Sequence, residues 1–181
     1  MDRFLEDLAA PTPAPGGGSA ACYAGAMAAA VAEMCAGLAA KKEKPGAQEL
    51  LQPLRGLREQ FVHQAEVDAK AFDDVLAAYR VPKDDPGRKA GIAQALKRAA
   101  LSPLRTMDLV LDLADLVRRV EAFVLPSARS DFESAVVFAR AGADVAARNV
   151  RINLDGAADA EELGAALAEK EAALRQRLPE V

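Results

Sequence analysis

Ala20-Ala-Cys-Tyr-Ala-Gly-Ala-Met-Ala-Ala-Ala-Val-Ala-Glu-Met-Cys-Ala-Gly-Leu-Ala-Ala40 carries one charge, Glu33, and no proline. Alanine is the strongest helix former because its side chain loses no rotamer freedom, so this run is helical. A helix that is apolar on all sides lies either among other helices or in a bilayer. The run is long enough to span. Alanine, however, is weakly hydrophobic beside the Leu, Ile and Phe that drive insertion, and no interfacial aromatic pair flanks the run. The expectation is the central helix of a soluble bundle, with no membrane partner. Gly25, Ala29, Ala32, Ala36 and Gly37 would let its neighbours approach closely.

The rest of the composition agrees. The 181 residues include 42 alanines against 14 valines and 2 isoleucines, with 4% aromatics and no Trp. Strands need β-branched and aromatic side chains to cover a pleated surface, so the fold class is all-α. One domain over residues 1–181 is expected, with a core large enough to fold without staples. The charge balance of 23 − 27 = −4 argues against nucleic acid as a partner. Cys22 and Cys35 stand thirteen residues apart on one helix, roughly 20 Å, too far to bond. They read as small buried hydrophobes in a reducing, cytoplasmic setting. Asp2, Glu6 and Asp7 against Arg3 give the N-terminus the wrong sign for a signal peptide.

Proline and glycine divide the chain. A short helix over Asp2–Ala9 precedes Pro11-Thr-Pro-Ala-Pro-Gly-Gly-Gly18, which cannot be helical. Ser19 is the expected N-cap of the first long helix, which runs to about Lys42. A second spans about Ala47–Arg80, with Pro53 near its start. Asp85-Pro86 caps a third, which Pro103 kinks or restarts before Pro126. Ser130-Asp-Phe-Glu133 has the spelling of a capping box for a helix reaching Asn153. Asp155-Gly156 closes it, and Asp159-Ala-Glu-Glu162 opens a charged last helix. The short connections predict an antiparallel bundle of about six helices.

On a helical wheel the apolar stripe of Ala47–Arg80 holds Leu54, Leu57, Phe61, Ala65, Ala69, Phe72, Val75, Leu76 and Tyr79. Asp68 falls in the middle of it. Burying a carboxylate requires a partner or a raised pKa, and a raised pKa is what an acid/base catalyst near neutral pH needs. A structural ion pair or cap fits the pattern equally well. His63, the one histidine, points about 140° away, so a His–Asp pair on this helix is excluded. One His and two Cys do not make a Cys/His metal site.

Asp131, Asn149 and Asn153 share a face with Ala135, Phe138, Gly142 and Ala146. Amides in a small-residue groove suit a flat heterocycle, or they bond neighbouring helices. Gly16-Gly17-Gly18-Ser19 bares backbone N–H groups at a helix start, where anions are favoured; a plain loop reads the same. Lys41 and Lys42, with Lys44, offer charge to a carboxylate-bearing ligand or complement the helix dipole.

Phe4-Leu-Glu-Asp-Leu-Ala-Ala-Pro-Thr-Pro-Ala-Pro-Gly-Gly-Gly-Ser19 closely resembles the opening of the folate cyclodeaminase/cyclohydrolase family. Asp68-Ala-Lys-Ala-Phe72 with Arg80-Val-Pro-Lys83 is similar to a second block of that family. Arg129-Ser-Asp131 and Asn149-Val-Arg-Ile-Asn-Leu154 resemble a third. The blocks come in family order and span nearly the whole chain. Cys22 and Tyr23, where small residues are commoner, and Arg151 depart from the pattern.

The resemblance implies a dimerising helical bundle that binds a tetrahydrofolate derivative as substrate near the subunit interface, without a metal. Asp68 matches the family's catalytic aspartate, Gly16, Gly17, Gly18 and Ser19 its glycine loop, and Lys41 and Lys42 its basic pair. Asp131, Asn149 and Asn153 join the substrate-binding set. No formiminotransferase domain is expected here, and a separate formiminotransferase becomes a candidate partner. The reaction expected first is cyclodeamination of 5-formimidoyltetrahydrofolate to 5,10-methenyltetrahydrofolate and ammonia. Methenyltetrahydrofolate cyclohydrolase is the near alternative. A catalytically silent folate-binding or helical interaction protein is the third.

Overall fold

The alanine-rich run becomes the axis around which the other helices pack. In the computed structural model, which describes residues 2–154 and 159–178, six α-helices follow one another. They are α1 (Asp2–Ala9), α2 (Gly17–Ala40), α3 (Leu51–Arg80), α4 (Arg88–Glu121), α5 (Arg129–Leu154) and α6 (Ala160–Arg177), and no strand occurs among the described residues. Short 3-10 turns at Gln48–Leu50 and Pro126–Ala128 lead into α3 and α5. The all-α expectation holds.

α2 packs chiefly against α5 and α3, with α4 beside it and α6 laid across α4 and α5. By length and composition α2 could cross a membrane. Its Ala28, Ala29, Ala32, Ala36 and Ala39 are instead buried against protein. Methyl-sized side chains let helix axes come together, and two glycines carry this furthest. At Gly25 a Cβ would stand 2.4 Å from the Phe61 ring, and at Gly142 it would stand 3.0 Å from the Ala21 carbonyl. α1 docks through Phe4, whose ring stacks on Tyr23 of α2 at 3.8 Å between centroids. That contact holds the Pro-rich loop over the start of α2.

Several local expectations are corrected. Pro103 does not restart its helix, because α4 runs through it unbroken. Proline removes the N–H that would bond the carbonyl four residues back, here Ala99. Asn153 of α5 supplies the missing donor, its Nδ2 lying 3.0 Å from the Ala99 oxygen. Ser19 is not the N-cap of α2; Gly16 is, and Ser19 lies inside the first turn. Asp85 accepts the Gly87 N–H at 2.7 Å in the turn before α4, whose N-cap is Gly87. No capping box forms at Ser130, since α5 begins at Arg129 and Glu133 pairs with that arginine. Asp155-Gly156 lies outside the described residues.

Cys22 and Cys35 are free and buried, as expected from their spacing. Burial pushes the Cys22 thiol up to about 12 and the Cys35 thiol to about 11, so both stay protonated at neutral pH. The apolar stripe of α3 is covered only as far as its partners reach. Leu54, Leu57, Phe61, Ala65 and Val75 are buried, whereas Phe72 and Tyr79 on either side of Val75 are 41% and 51% exposed.

The Gly25–Phe61 contact makes a prediction. Gly25→Ala forces a methyl into the ring, and overpacking of this kind costs about 1–3 kcal/mol. The urea midpoint should fall with an unchanged slope. An unchanged midpoint would mean that the two helices part at no cost.

Candidate active site

Four polar side chains are buried among the described residues: Ser19, Gln64, Ser102 and Thr106. All four gather around Asp68. Asp68 leaves the core face of α3 where the first turn of α2 ends against it. A Cβ on Gly18 would stand 2.3 Å from Asp68 Oδ2, so no larger residue fits beside the carboxylate. The Ser19 backbone N–H, in the first turn of α2, favours the charged carboxylate. Its hydroxyl lies 3.3 Å from Oδ2 and 3.2 Å from the Ala65 carbonyl. From α4 the Ser102 hydroxyl donates to Oδ1 at 3.0 Å.

Gln64, one turn before Asp68, donates from Nε2 to both the carbonyl and the hydroxyl of Ser102, each at 3.1 Å. Thr106 Oγ1 approaches the same carbonyl at 3.5 Å and the Cys22 sulfur at 3.3 Å. Burial pushes Asp68 above the usual carboxylate range, while the Ser102 and Ser19 hydroxyls and the Ser19 N–H pull it back. The free N–H groups of a helix start favour a negative charge. The arrangement therefore keeps one carboxyl chargeable inside a largely apolar wall, and such a group can take up and return a proton.

Of the residues singled out in the sequence, Gly17, Gly18, Ser19, Asp68 and Asn149 come together. Asn149 Nδ2 donates to the Val145 carbonyl at 2.8 Å and would lie 3.3 Å from a Cβ on Gly17. Gly16 caps the helix immediately before them. Asn153 is occupied with Ala99. Asp131 is exposed at the other end of α5, where it faces Cys35. Lys41 and Lys42 are exposed beyond the last residue of α2. A helix of that length puts them about 36 Å from the glycine loop, so one chain does not present both ends of α2 to one small ligand.

His63 lies on the solvent side, 3.7 Å from Glu66. Among the described residues no group of three His, Cys, Asp or Glu side chains could hold a metal. Ser102, Gln64 and Thr106 were missed in the sequence. Gln64 sits on the same wheel face as Asp68 and was the readable signal; Ser102 and Thr106 come from another helix. Behind Ser102 a groove of about 360 Å³ runs between α3 and α4, rimmed by Lys70, Arg98 and Arg105. A cavity of equal volume between α4, α5 and α6 shares no residue with the Asp68 cluster.

Comparison with known proteins gives one consistent answer. The model of the formiminotransferase-cyclodeaminase family matches residues 1–172. A methenyltetrahydrofolate cyclohydrolase from Methylorubrum extorquens is 37% identical over 171 residues, covering 88% of this chain and 81% of that protein. A formimidoyltransferase-cyclodeaminase from Dictyostelium discoideum is 33% identical over 163 residues; the match covers 87% of this chain but 30% of that protein. The crystal structure of a formiminotetrahydrofolate cyclodeaminase from Thermotoga maritima superimposes with a TM-score of 0.87 at 28% identity, covering 98% of this chain and 92% of that one.

The raised Asp68 carboxyl makes a prediction about stability. The folded protein holds this proton at a pH where the unfolded chain has released it. Stability from Asp68 is therefore lost as pH rises from the ordinary aspartate range, about 3.9, through the raised one. Thermal melts of wild type and Asp68→Asn from pH 4 to 8 should show the variant gaining on wild type as pH rises. The opposite trend would mean that the hydrogen bonds outweigh burial.

Proposed function

The chain belongs to the formiminotransferase-cyclodeaminase family of folate one-carbon enzymes, and from that premise we propose that it hydrolyses 5,10-methenyltetrahydrofolate. The observation that carries the chemistry is the single Asp68 carboxyl, held against Gly18 and two serine hydroxyls. The methenyl carbon lies in an amidinium cation, which a neighbouring carboxylate attracts. Water adds to that carbon as Asp68 takes one of its protons. The same carboxyl then gives a proton to N5 as the carbon–N5 bond breaks, and the hydroxyl of the adduct loses its remaining proton to solvent, leaving the formyl group on N10. One acid/base group serves both steps because they follow one another. The Gly17 backbone and the Asn149 amide stand beside it to orient the heterocycle.

The 37% identity to a cyclohydrolase, over 81% of that protein, is what puts hydrolysis first. Cyclodeamination is the second reading, favoured by the superposition on the Thermotoga enzyme. There N10 attacks the formimidoyl carbon and loses its proton, and the departing nitrogen is protonated and leaves as ammonia. Asp68 again carries the proton. A separate formiminotransferase would then be the partner that supplies substrate.

A homodimer belongs to the same proposal. Phe72 and Tyr79 continue the core face of α3 beyond Asp68 yet are left uncovered, which suits a second copy. Lys41 and Lys42 could reach a folate at the glycine loop only from that copy. Within one chain, Lys70, Arg98 and Arg105 around the α3–α4 groove offer positive charge to glutamyl carboxylates.

Absorbance of methenyltetrahydrofolate with the purified protein tests the reaction. Decay of the added compound is expected. Its appearance from formimidoyltetrahydrofolate, with ammonia release, would select the second reading. Neither signal, with tetrahydrofolate still bound, would leave a silent folate-binding protein. Asp68→Asn should lower turnover by at least about 10²-fold while remaining folded; an unchanged rate would sink the role given to Asp68. Light scattering should show a dimer that the double variant Phe72→Glu/Tyr79→Glu converts to monomer.

A further inference from the structure

Gln64 lies one helical turn before Asp68 and does not touch it. Its Nε2 reaches the Ser102 carbonyl oxygen at 3.1 Å. A carbonyl can only accept, so the nitrogen of the amide, and not its oxygen, must face Ser102. The same nitrogen lies 3.1 Å from Ser102 Oγ, with its second hydrogen for that oxygen. The hydroxyl therefore accepts from Gln64, and its own proton must point elsewhere. Asp68 Oδ1, at 3.0 Å, is the acceptor it finds. A serine inside a helix otherwise turns its hydroxyl to the carbonyl four residues back, which here is that of Arg98. Gln64 is 7% exposed and Ser102 is 6% exposed, and both line the groove between α3 and α4.

We propose that Gln64 is a positioning residue: its amide fixes the Ser102 hydroxyl as a donor to Asp68 and so sets how readily that carboxyl holds its proton. The charged surroundings leave this chain in control. α2 presents the Cys22 thiol, which burial keeps protonated. On α3 itself Glu66, Lys70 and Asp73 are exposed on other faces. α4 presents Arg98, paired with Asp74 at 3.6 Å, and Arg105, both exposed and permanently charged. α5 presents the neutral Asn149, with Asp144 and Arg148 exposed.

The relevance to turnover rests on the acid/base role proposed above, but the inference itself can be read without substrate. In protein carrying ¹³C-carboxyl aspartate, the resonance missing from Asp68→Asn identifies Asp68, and its shift against pH gives a titration midpoint. Gln64→Met leaves the Ser102 hydroxyl free to turn away, Ser102→Ala removes it, and Gln64→Glu offers it a competing carboxylate acceptor. Each should raise the midpoint, by about one unit where the bond is lost outright, a tenfold change in the ionised fraction below it. Ser102→Thr keeps a hydroxyl and should restore the wild-type midpoint. Should Gln64→Glu fail to fold, Gln64→Met and the two Ser102 variants decide the matter. Folded Gln64→Met with an unmoved midpoint would overturn the proposal, even if activity fell. Moved midpoints with an unmoved pH profile of kcat/KM would instead remove Asp68 from the chemistry while leaving its positioning intact.

Discussion

The carboxylate of one helix fitted against the first turn of another is the contact around which this bundle is arranged. Asp68 of α3 meets the Ser19 hydroxyl in the first turn of α2, and Gly18 leaves it just enough room. A helix start exposes N–H groups with no partner of their own and a partial positive charge. A carboxylate costs free energy to bury unless such donors meet it. Each element thus answers a deficit in the other, which fixes the register of α3 on α2. Gly18, which permits it, admits nothing larger, so fold and site share one steric requirement.

A second compensation lies on the other side of the site. Pro103 removes a donor from the middle of α4, and the Asn153 amide from α5 takes up the carbonyl left behind. The helix stays whole, and Ser102 keeps its place opposite Asp68. An asparagine whose sequence context suggested a ligand donates here to a backbone carbonyl of another helix. The distinction is invisible along the sequence, because proline and asparagine are 50 residues apart and meet only when α4 and α5 pack.

Chemistry is concentrated for the same physical reason. The described chain buries four polar side chains, and all four join the Asp68 cluster. Buried polar groups are retained when every member has a partner. The rest of the interior is mainly alanine, valine and leucine, with Phe61, Phe132, Met107 and the thiols of Cys22 and Cys35, so the low-polarity wall that raises Asp68 is the ordinary core. The helix start supplies the donors and the core supplies the desolvation.

The sequence by itself determined the helices, their order and the misplaced carboxylate. Periodicity, alanine content and proline positions are local properties, and Asp68 stands out because a wheel needs only its own helix. The Pro-rich glycine motif likewise pointed to the family from contiguous residues. Tertiary structure alone decided what Asp68 touches, since Ser19 and Ser102 arrive from other helices. Angle alone is not enough even within one helix: Asp131 and Asn149 share a face, but 18 residues of helix put them about 27 Å apart. Angle around a helix is written in the spacing of its residues, whereas which neighbour lies at each height depends on how the helices pack.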